Sequence, residues 1–500
     1  MPVFVGCDLG TMGTKAAVVD DEGRILGEAF EEVPLRYPRP GCVEQVLDEI
    51  EESAHRTIRS ALTVSGRARD VAGVAFSGQM SGIGSIDERF RPATHFDSWL
   101  DTRCEPYIVA MAEHADRVTA LSGCPPTYSH GPKILWWKRE RPREYAGIAR
   151  FVVPSAFVAG RLSGLQAADA FIDRTTIHFS NLADTERREW SAELLAAFGV
   201  DEEVLPRIVD PLEIVGEVTA SGEEATGVPA GTPVAAGAGD QPAASLGAGV
   251  VDPGQAFDSA GTASVFAMCV DRFAPDVEQK MLLASHSVVD GVYIALAFVN
   301  GGGLALRWFR DSLAEGLYGR PDAYALLDKE AASVGLGAGG LLWFPHIQGG
   351  VLPPQPHARG AFVGLTSAHT RGHLFRAILE GIGYEYAVWA ERAPGRPTEA
   401  RALGGGARSE LWNRIKADIV GAAWVPTLRQ ECGVLGDALM AAAATGHVRD
   451  LAATAKEWQQ TGEPIAPDRA RRAAYRGYLE AYRELRRLGP VFEALSRAAG

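Results

Sequence analysis

The chain of 500 residues carries 49 lysines and arginines against 63 aspartates and glutamates, a formal net charge of −14, and 46% of its residues are apolar. That length exceeds what one hydrophobic core usually serves, so two domains are expected, and the acidic balance argues against a nucleic-acid or anionic-membrane partner, since both need a basic face. Six scattered cysteines without a CxxC pair read as reduced, buried thiols rather than a zinc site. No apolar run nears the roughly 20 residues that span a bilayer. No basic segment precedes an apolar run at the start, so a soluble cytoplasmic protein is expected.

The opening VGCDLGTMGTKAAVV (5–19) is an apolar strand, a turn of glycine and threonine, and a second apolar strand. Gly10 and Gly13 free the turn from side-chain sterics, and its tip offers backbone N–H groups and the hydroxyls of Thr11 and Thr14 to phosphate oxygens. Asp8, at the mouth, suits a hydrated Mg²⁺ held through water; an ordinary hairpin with a solvated aspartate fits the same residues. RILGEAFEEV (24–33) reads as a third strand, and residues 44–64 as an amphipathic helix with Ile50, Ala54, Ile58 and Leu62 on one stripe. VAGVAFSGQMSGIGSID (71–87) is a buried strand ending in a polar loop, an arrangement that delivers side chains to a cleft. SWLDTR (98–103) leads into a helix, KILWWKRERP (133–142) starts another, and 166–190 is a loop region rich in Asp, Thr and Ser.

QAFDSAGTASVFAMCV (255–270) repeats the opening design, with Gly261, Thr262 and Ser264 at the turn. This suggests two related domains facing each other, although no sequence repeat is strong enough to show it. The glycine cluster NGGGLALRWF, a helix over 370–392 and the turn ARALGGGARS follow; the Arg- and Glu-studded helix over 467–487 reads as a solvated outer element. GLGAGG (335–340) runs into LLWFP, a strand rather than the helix a dinucleotide site requires, and His369 and His373 lack a third metal ligand. No GxxxxGK[ST] occurs.

DLGTMGTK (8–15), SGQMSG (77–82), GAGDQPAASLGAG (237–249), GTASVF (261–266) and GGGARSELWNRIKADI (404–419) stand in the order found in the FGGY carbohydrate kinases, which the chain resembles over essentially its whole length. GAFVGLTSAHTRGHLFRAILE (360–380) fits the family's C-terminal pattern, and the pattern around KILWWKRE fits except at His130, where a small residue is usual. The resemblance implies an α/β fold of two actin- and hexokinase-like (ribonuclease H-like) domains hinged around an active-site cleft. Residues 1–250 would be the N-terminal kinase domain with the sugar site, the first phosphate turn and the catalytic aspartate, and 251–500 the C-terminal domain with the second phosphate turn and the adenosine site. It implies transfer of the γ-phosphate of ATP, with Mg²⁺, to a hydroxyl of a sugar or polyol. Homodimers are common in such kinases, and no residue here marks one.

Asp240 follows GAG at a strand end and is the candidate general base, with Gln241 beside it for a substrate hydroxyl; the alternative for Asp240 is a helix N-cap. Gln79, Met80 and Ser81, with Trp99, Asp101 and Arg103, are the expected sugar contacts, Trp99 by stacking and the Asp–Arg pair by holding adjacent hydroxyls. Gly10, Thr11, Thr14, Gly261 and Thr262 would bracket the ATP phosphates. Lys15 is counted with them, although a strand lysine is more often simply exposed. Gly404, Gly405 and Gly406 allow close approach of the nucleoside, with Ser409 and Asn413 one helical turn apart on a side that reaches the base. Xylulokinases usually carry Met-His where this chain has Met80-Ser81 and Trp-Asn-Asp where it has Trp99-Leu100-Asp101, and glycerol kinases carry Arg-Glu at the first place. A pentulose such as xylulose, or another ketose or polyol, is the favoured substrate. An aldonate kinase, an actin- or chaperone-like ATPase that drives partner binding, and a catalytically silent binding protein are the rivals.

Overall fold

In this computed structural model, which describes residues 1–355 and 357–498, Val3–Leu9 and Gly13–Asp20 pair antiparallel, and Ile25–Glu32 adds a third antiparallel strand. Val71–Gly78 lies parallel to Val3–Leu9 on its other side, giving the strand order 214–217, 233–235, 71–78, 3–9, 13–20, 25–32. Val3, Phe4, Val5 and Cys7 are all buried, as a strand covered on both faces requires. One face packs on helix Leu47–Ser65, whose stripe of Ile50, Ala54, Ile58 and Leu62 is buried as its periodicity predicts. The other packs on helices Asp240–Gly247 and Cys432–Ala444. Gly6 makes the second contact possible, because a Cβ there would stand 2.1 Å from the Val434 carbonyl oxygen.

The chain divides into two units. The first comprises Met1–Val251, Asp271–Ile294 and Glu431–Gln459; the second comprises Asp252–Val270, Ala295–Gln430 and the chain from Gln460 onward. Where the sequence suggests one cut after residue 250, the chain thus returns to the first unit twice. The second return is explained by the Cys432–Ala444 helix, which is apolar almost throughout and buries its surface on the first sheet.

The second unit builds the same pattern again. Gln255–Ala260 and Ser264–Val270 pair antiparallel, while Glu399–Leu403 and Ala423–Pro426 continue the sheet in parallel. Five successive strands of this six-stranded sheet run 293–299, 264–270, 255–260, 399–403, 423–426, so the repeat hinted at by the two glycine turns is real at the level of topology. Helix Arg371–Arg392 is buried along most of its length. Helix Arg469–Leu485 corrects an expectation. It is not simply solvated: Tyr475, Leu479, Tyr482 and Leu485 are buried, and the tyrosine hydroxyls donate to the buried carboxylates of Glu380 (3.0 Å) and Glu385 (2.6 Å). The aromatic stripe at helical spacing outweighs the charges that flank it.

No disulfide joins the six buried cysteines. Among the described residues no helix is long and apolar enough to cross a membrane.

Candidate active site

Asp8 lies one residue before the end of the first strand and Asp240 begins a helix, and both reach solvent only in part. Burial, followed by the charge of Asp8, raises the Asp240 carboxyl to about 7. Burial raises Asp8 to about 6, opposed by a hydrogen bond from Ser77 and the charge of Lys15. Two acids held above their usual range by burial, one raised further by the other's charge, make this place a candidate for a cation or a proton. The Asp240 backbone is the first helical residue and Gly239 is the cap, so the N-cap alternative does not describe it; the Gln241 N–H donates to Asp240 Oδ1 at 2.8 Å. Gln241 Oε1 is buried without a hydrogen-bond partner, an acceptor waiting for a donor such as a hydroxyl. Met80 covers the backbone at Gly239, where a Cβ would stand 2.5 Å from the thioether sulfur. Gln79, at the end of the 71–78 strand, donates to Gln45 Oε1 at 2.7 Å.

Several side chains of the first turn have other partners. Thr14 is buried and its hydroxyl shares a 2.6 Å hydrogen bond with Ser53, so it does not face a phosphate. Strand alternation explains this: Thr14 pairs with Leu9 in the ladder and points toward the 47–65 helix. Thr11 accepts the Trp99 indole N–H at 2.7 Å, which ties the turn to the Trp99 segment. Lys15 pairs with Glu431 at 2.5 Å. Asp8, Gly10, Thr11, Gln79, Met80, Trp99, Asp240 and Gln241 all belong to the first unit.

Asp101 and Arg103 correct a second expectation. Asp101 is fully buried, accepting from the Val43 N–H at 2.7 Å, the Arg103 N–H at 3.0 Å and Arg103 Nε at 2.8 Å. Arg103 also donates to Glu44 at 2.5 Å and stacks over Trp136. The pair is turned onto itself and holds the 98–103 segment, with Asp101 Oδ2 accepting twice and Oδ1 once. Ser81 likewise donates its hydroxyl to the Tyr128 carbonyl at 3.0 Å. Glu44, His95 and Asp97 bring potential metal-ligating atoms together, but Arg103 already sits among them.

In the second unit three glycine-bearing segments meet. A Cβ on Gly303 would stand 2.0 Å from the Gly261 carbonyl oxygen, and one on Gly406 would stand 2.4 Å from Ala260 Cβ. Gly404, at φ +71°, also lies against Ala260. The turn at Gly261 and Thr262 is therefore flanked by backbone rather than side chains, with Gly405 open beside it. Ser409 and Asn413 are engaged within the fold: the Ser409 hydroxyl caps the 410–420 helix by accepting the Trp412 N–H and donates to Asp328, while Asn413 donates to the Ala407 carbonyl at 2.8 Å. Both brace the glycine turn, and Asn413 Oδ1 is buried without a hydrogen-bond partner.

Sequence reading missed the residues that hold this site. Ser77 Oγ lies 2.9 Å from Asp437 Oδ2 and 3.3 Å from Asp8 Oδ1. Asp437 is fully buried, and burial, then Asp8, raises its carboxyl well above the usual range. Its signal was a single acid inside GVLGDALMAAAA, an otherwise apolar helix. Thr175 accepts the Gly239 N–H at 3.1 Å and donates to buried Asp173, fixing the peptide just before Asp240. Nothing in a loop rich in Asp and Thr distinguished these two beforehand.

The model for the FGGY family of carbohydrate kinases matches this chain over residues 3–247 with its N-terminal domain and 257–445 with its C-terminal domain. The chain is 26% identical to a xylulose kinase of Bacillus subtilis, over 97% of each chain. It is 27% identical to a gluconokinase of the same organism, over 99% of this chain and 95% of the other. The crystal structure of a xylulose kinase from Rhodospirillum rubrum superposes with a TM-score of 0.88 at 26% identity, covering 98% of this chain and 99% of that one. The two-unit α/β architecture is accordingly the actin- and hexokinase-like one. With both family domains matched in order, the chain belongs to the FGGY carbohydrate kinases, phosphotransferases with an alcohol group as acceptor.

Proposed function

We propose that the protein transfers the γ-phosphate of ATP to a hydroxyl of a neutral ketose, a xylulose-like pentulose first, with Asp240 as general base. The observation that carries this reading is the Asp240 carboxyl, raised to about 7 beside the unpartnered Gln241 Oε1. A base with an affinity near neutrality is ionised enough to accept a proton and basic enough to hold it. Gln241 Oε1 accepts from a neighbouring hydroxyl and orients the sugar. The attacking hydroxyl oxygen bonds to phosphorus as the bond to the ADP oxygen breaks, and its proton passes to Asp240 Oδ2, since Oδ1 is held by the Gln241 N–H.

Asp8 fits a Mg²⁺ ion held through water: it is a hard oxygen donor, partly open to solvent, and the cation of the neighbouring strand is engaged with Glu431. That ion, when bound, neutralises phosphate charge. The backbone turns at Gly10 and at Gly261–Thr262, with the Gly404–Gly406 turn, are the N–H-rich surfaces for the nucleotide.

An aldonate is the second reading, because a gluconokinase is as similar as the xylulose kinase. The site argues against it: Arg103, the cation among the expected sugar contacts, is already paired with Asp101 and Glu44. Coupled ADP release with MgATP, measured across ketopentoses, ketohexoses, polyols and aldonates for wild type and Asp240→Ala, tests both points. A ketose-dependent rate that disappears in the variant supports the proposal. A rate with gluconate alone replaces the substrate, and turnover indifferent to sugar turns the reading to a partner-driven ATPase.

A further inference from the structure

Ser81 lies at φ +67°, a left-handed conformation that disfavours any residue with a Cβ. It follows Met80, the side chain that covers Gly239 just before Asp240. The Ser81 carbonyl accepts from Lys133 Nζ at 3.1 Å; the same ammonium donates to the Tyr128 carbonyl at 2.7 Å, and Ser81 Oγ donates to that carbonyl at 3.0 Å. The Lys133 ammonium thus bridges the Ser81 and Tyr128 carbonyls, and the Ser81 hydroxyl joins it at Tyr128. Lys133 lies on helix His130–Glu140 and is fully buried, with burial lowering its pKa. An ammonium in an interior is costly; here two carbonyls and the charges of Asp97 and Asp101 offset that cost. Ile134, Leu135, Trp136 and Trp137 are buried apolar neighbours on the same helix, which also buries His130.

We propose that Lys133 is a positioning residue for sugar binding: it fastens the left-handed Ser81 peptide and thereby sets the place of Gln79 and Met80 against the Asp240 turn. The inference rests on the reading of Gln79–Ser81 as the sugar side. It explains why a chain with serine, rather than glycine, at a positive φ keeps a defined loop at this point. The Ser81 hydroxyl, turned to Tyr128, contributes to the clamp and not to the substrate.

Hydrogen exchange of peptides spanning 78–84 tests the clamp without reference to any sugar, and steady-state kinetics with xylulose, or whichever sugar of the panel supports ADP release, tests its consequence. In Lys133→Met, exchange in that segment is expected to rise roughly 10- to 100-fold, with peptides from 255–270 unchanged. KM for the sugar should rise by a comparable factor, while KM for ATP moves by less than about twofold. Ser81→Gly in the same background should recover part of both effects, because glycine adopts this conformation unaided. Ser81→Val, with Lys133 intact, should raise the sugar KM by straining the same peptide, and it serves if Lys133→Met does not fold. Unchanged exchange at 78–84, equal rises in both KM values, or a loss indifferent to Ser81→Gly would overturn the proposal. If the clamp behaves as expected in exchange but no sugar supports turnover, the fault lies in the functional reading and not in the clamp.

Discussion

The two hairpins share one topology, and each carries an aspartate in its first strand, yet the fold treats the two acids in opposite ways. Asp258 is fully buried and wholly supplied with partners: the Lys416 ammonium pairs with it, the Tyr386 hydroxyl donates at 2.7 Å and the Trp424 indole at 3.1 Å. Lys416 in turn lies 4.1 Å from the centre of the Trp412 ring. Asp8 has a hydroxyl at 3.3 Å, a carboxyl raised to about 6, and a neighbouring lysine whose ammonium is paired with Glu431. An acid paired with a buried cation holds the fold, whereas a partly exposed acid raised by burial is a candidate for a ligand. Asp258 is thus an aspartate with its partners inside the fold, and Asp8, by the reading proposed above, one kept for a ligand.

Breaking that contrast by substitution gives effects of decreasing size. Asp240→Ala should lose about 10²- to 10⁴-fold in kcat, the contribution of a general base, with folding intact by circular dichroism. A variant that retains its rate would remove Asp240 from the chemistry. Asp258→Asn leaves a buried ammonium without its counter-ion and should cost about 3–5 kcal/mol of stability in urea unfolding. Asp8→Asn should do the reverse, leaving stability unchanged or slightly raised while activity falls about 10- to 100-fold and more Mg²⁺ is needed for half-maximal rate. Loss of stability in the Asp8 variant comparable to that in the Asp258 variant would erase the distinction.

Acid sharpens the same comparison. Asp8 and Asp240 have folded-state affinities for protons above their unfolded values, so the folded form binds more protons between the usual carboxylate range and about pH 6–7. Their contribution to stability is therefore fully present at low pH and is lost as pH rises through about 6–7. Activity moves the other way, because a protonated Asp240 cannot take the hydroxyl proton. The logarithm of kcat/KM should climb with pH to a plateau above about 7, with apparent values that belong to the coupled pair. Asp8→Asn removes one of the charges that raise Asp240, and should shift that profile toward lower pH. A profile flat from pH 5 to 8 would show that proton transfer to this pair does not limit the rate.

The sequence carried the fold well because its signals were local. Alternating glycine turns and apolar strands at 3–20 and 255–270, and the stripe of Ile50, Ala54, Ile58 and Leu62, are written in short windows. The placement of Asp8 and Asp240 beside glycine turns is legible in the same way. What escaped was whatever depends on partners distant in the chain. Ser77 meets Asp437, Arg103 meets Glu44, and Thr14 meets Ser53, and no window contains both members of any of these pairs. A residue type can announce that it is able to bind a ligand; only the folded neighbours decide whether its lone pairs are still available. Asp101 and Ser409 have the right chemistry for substrates and are already engaged, whereas Gln241 Oε1 is not.

The smallest effect concerns the second unit's glycine turn. Ser409 accepts the Trp412 N–H at 3.0 Å as the cap of the 410–420 helix and donates to Asp328 at 2.7 Å. Ser409→Ala should cost about 1 kcal/mol, the usual price of losing such a cap. If the side chain acts on nucleotide only by shaping the turn, KM for ATP should change by less than about threefold, whereas Gly405→Val, which puts a branched side chain into the open space beside Gly261, should raise it far more. A reversal of that order, with the serine variant impairing ATP use and the valine variant silent, would mean that the nucleotide meets the Ser409 hydroxyl directly and that the turn's openness is incidental. The two substitutions therefore distinguish a surface made by backbone from one made by side chains, the same distinction that separates Asp8 from Asp258.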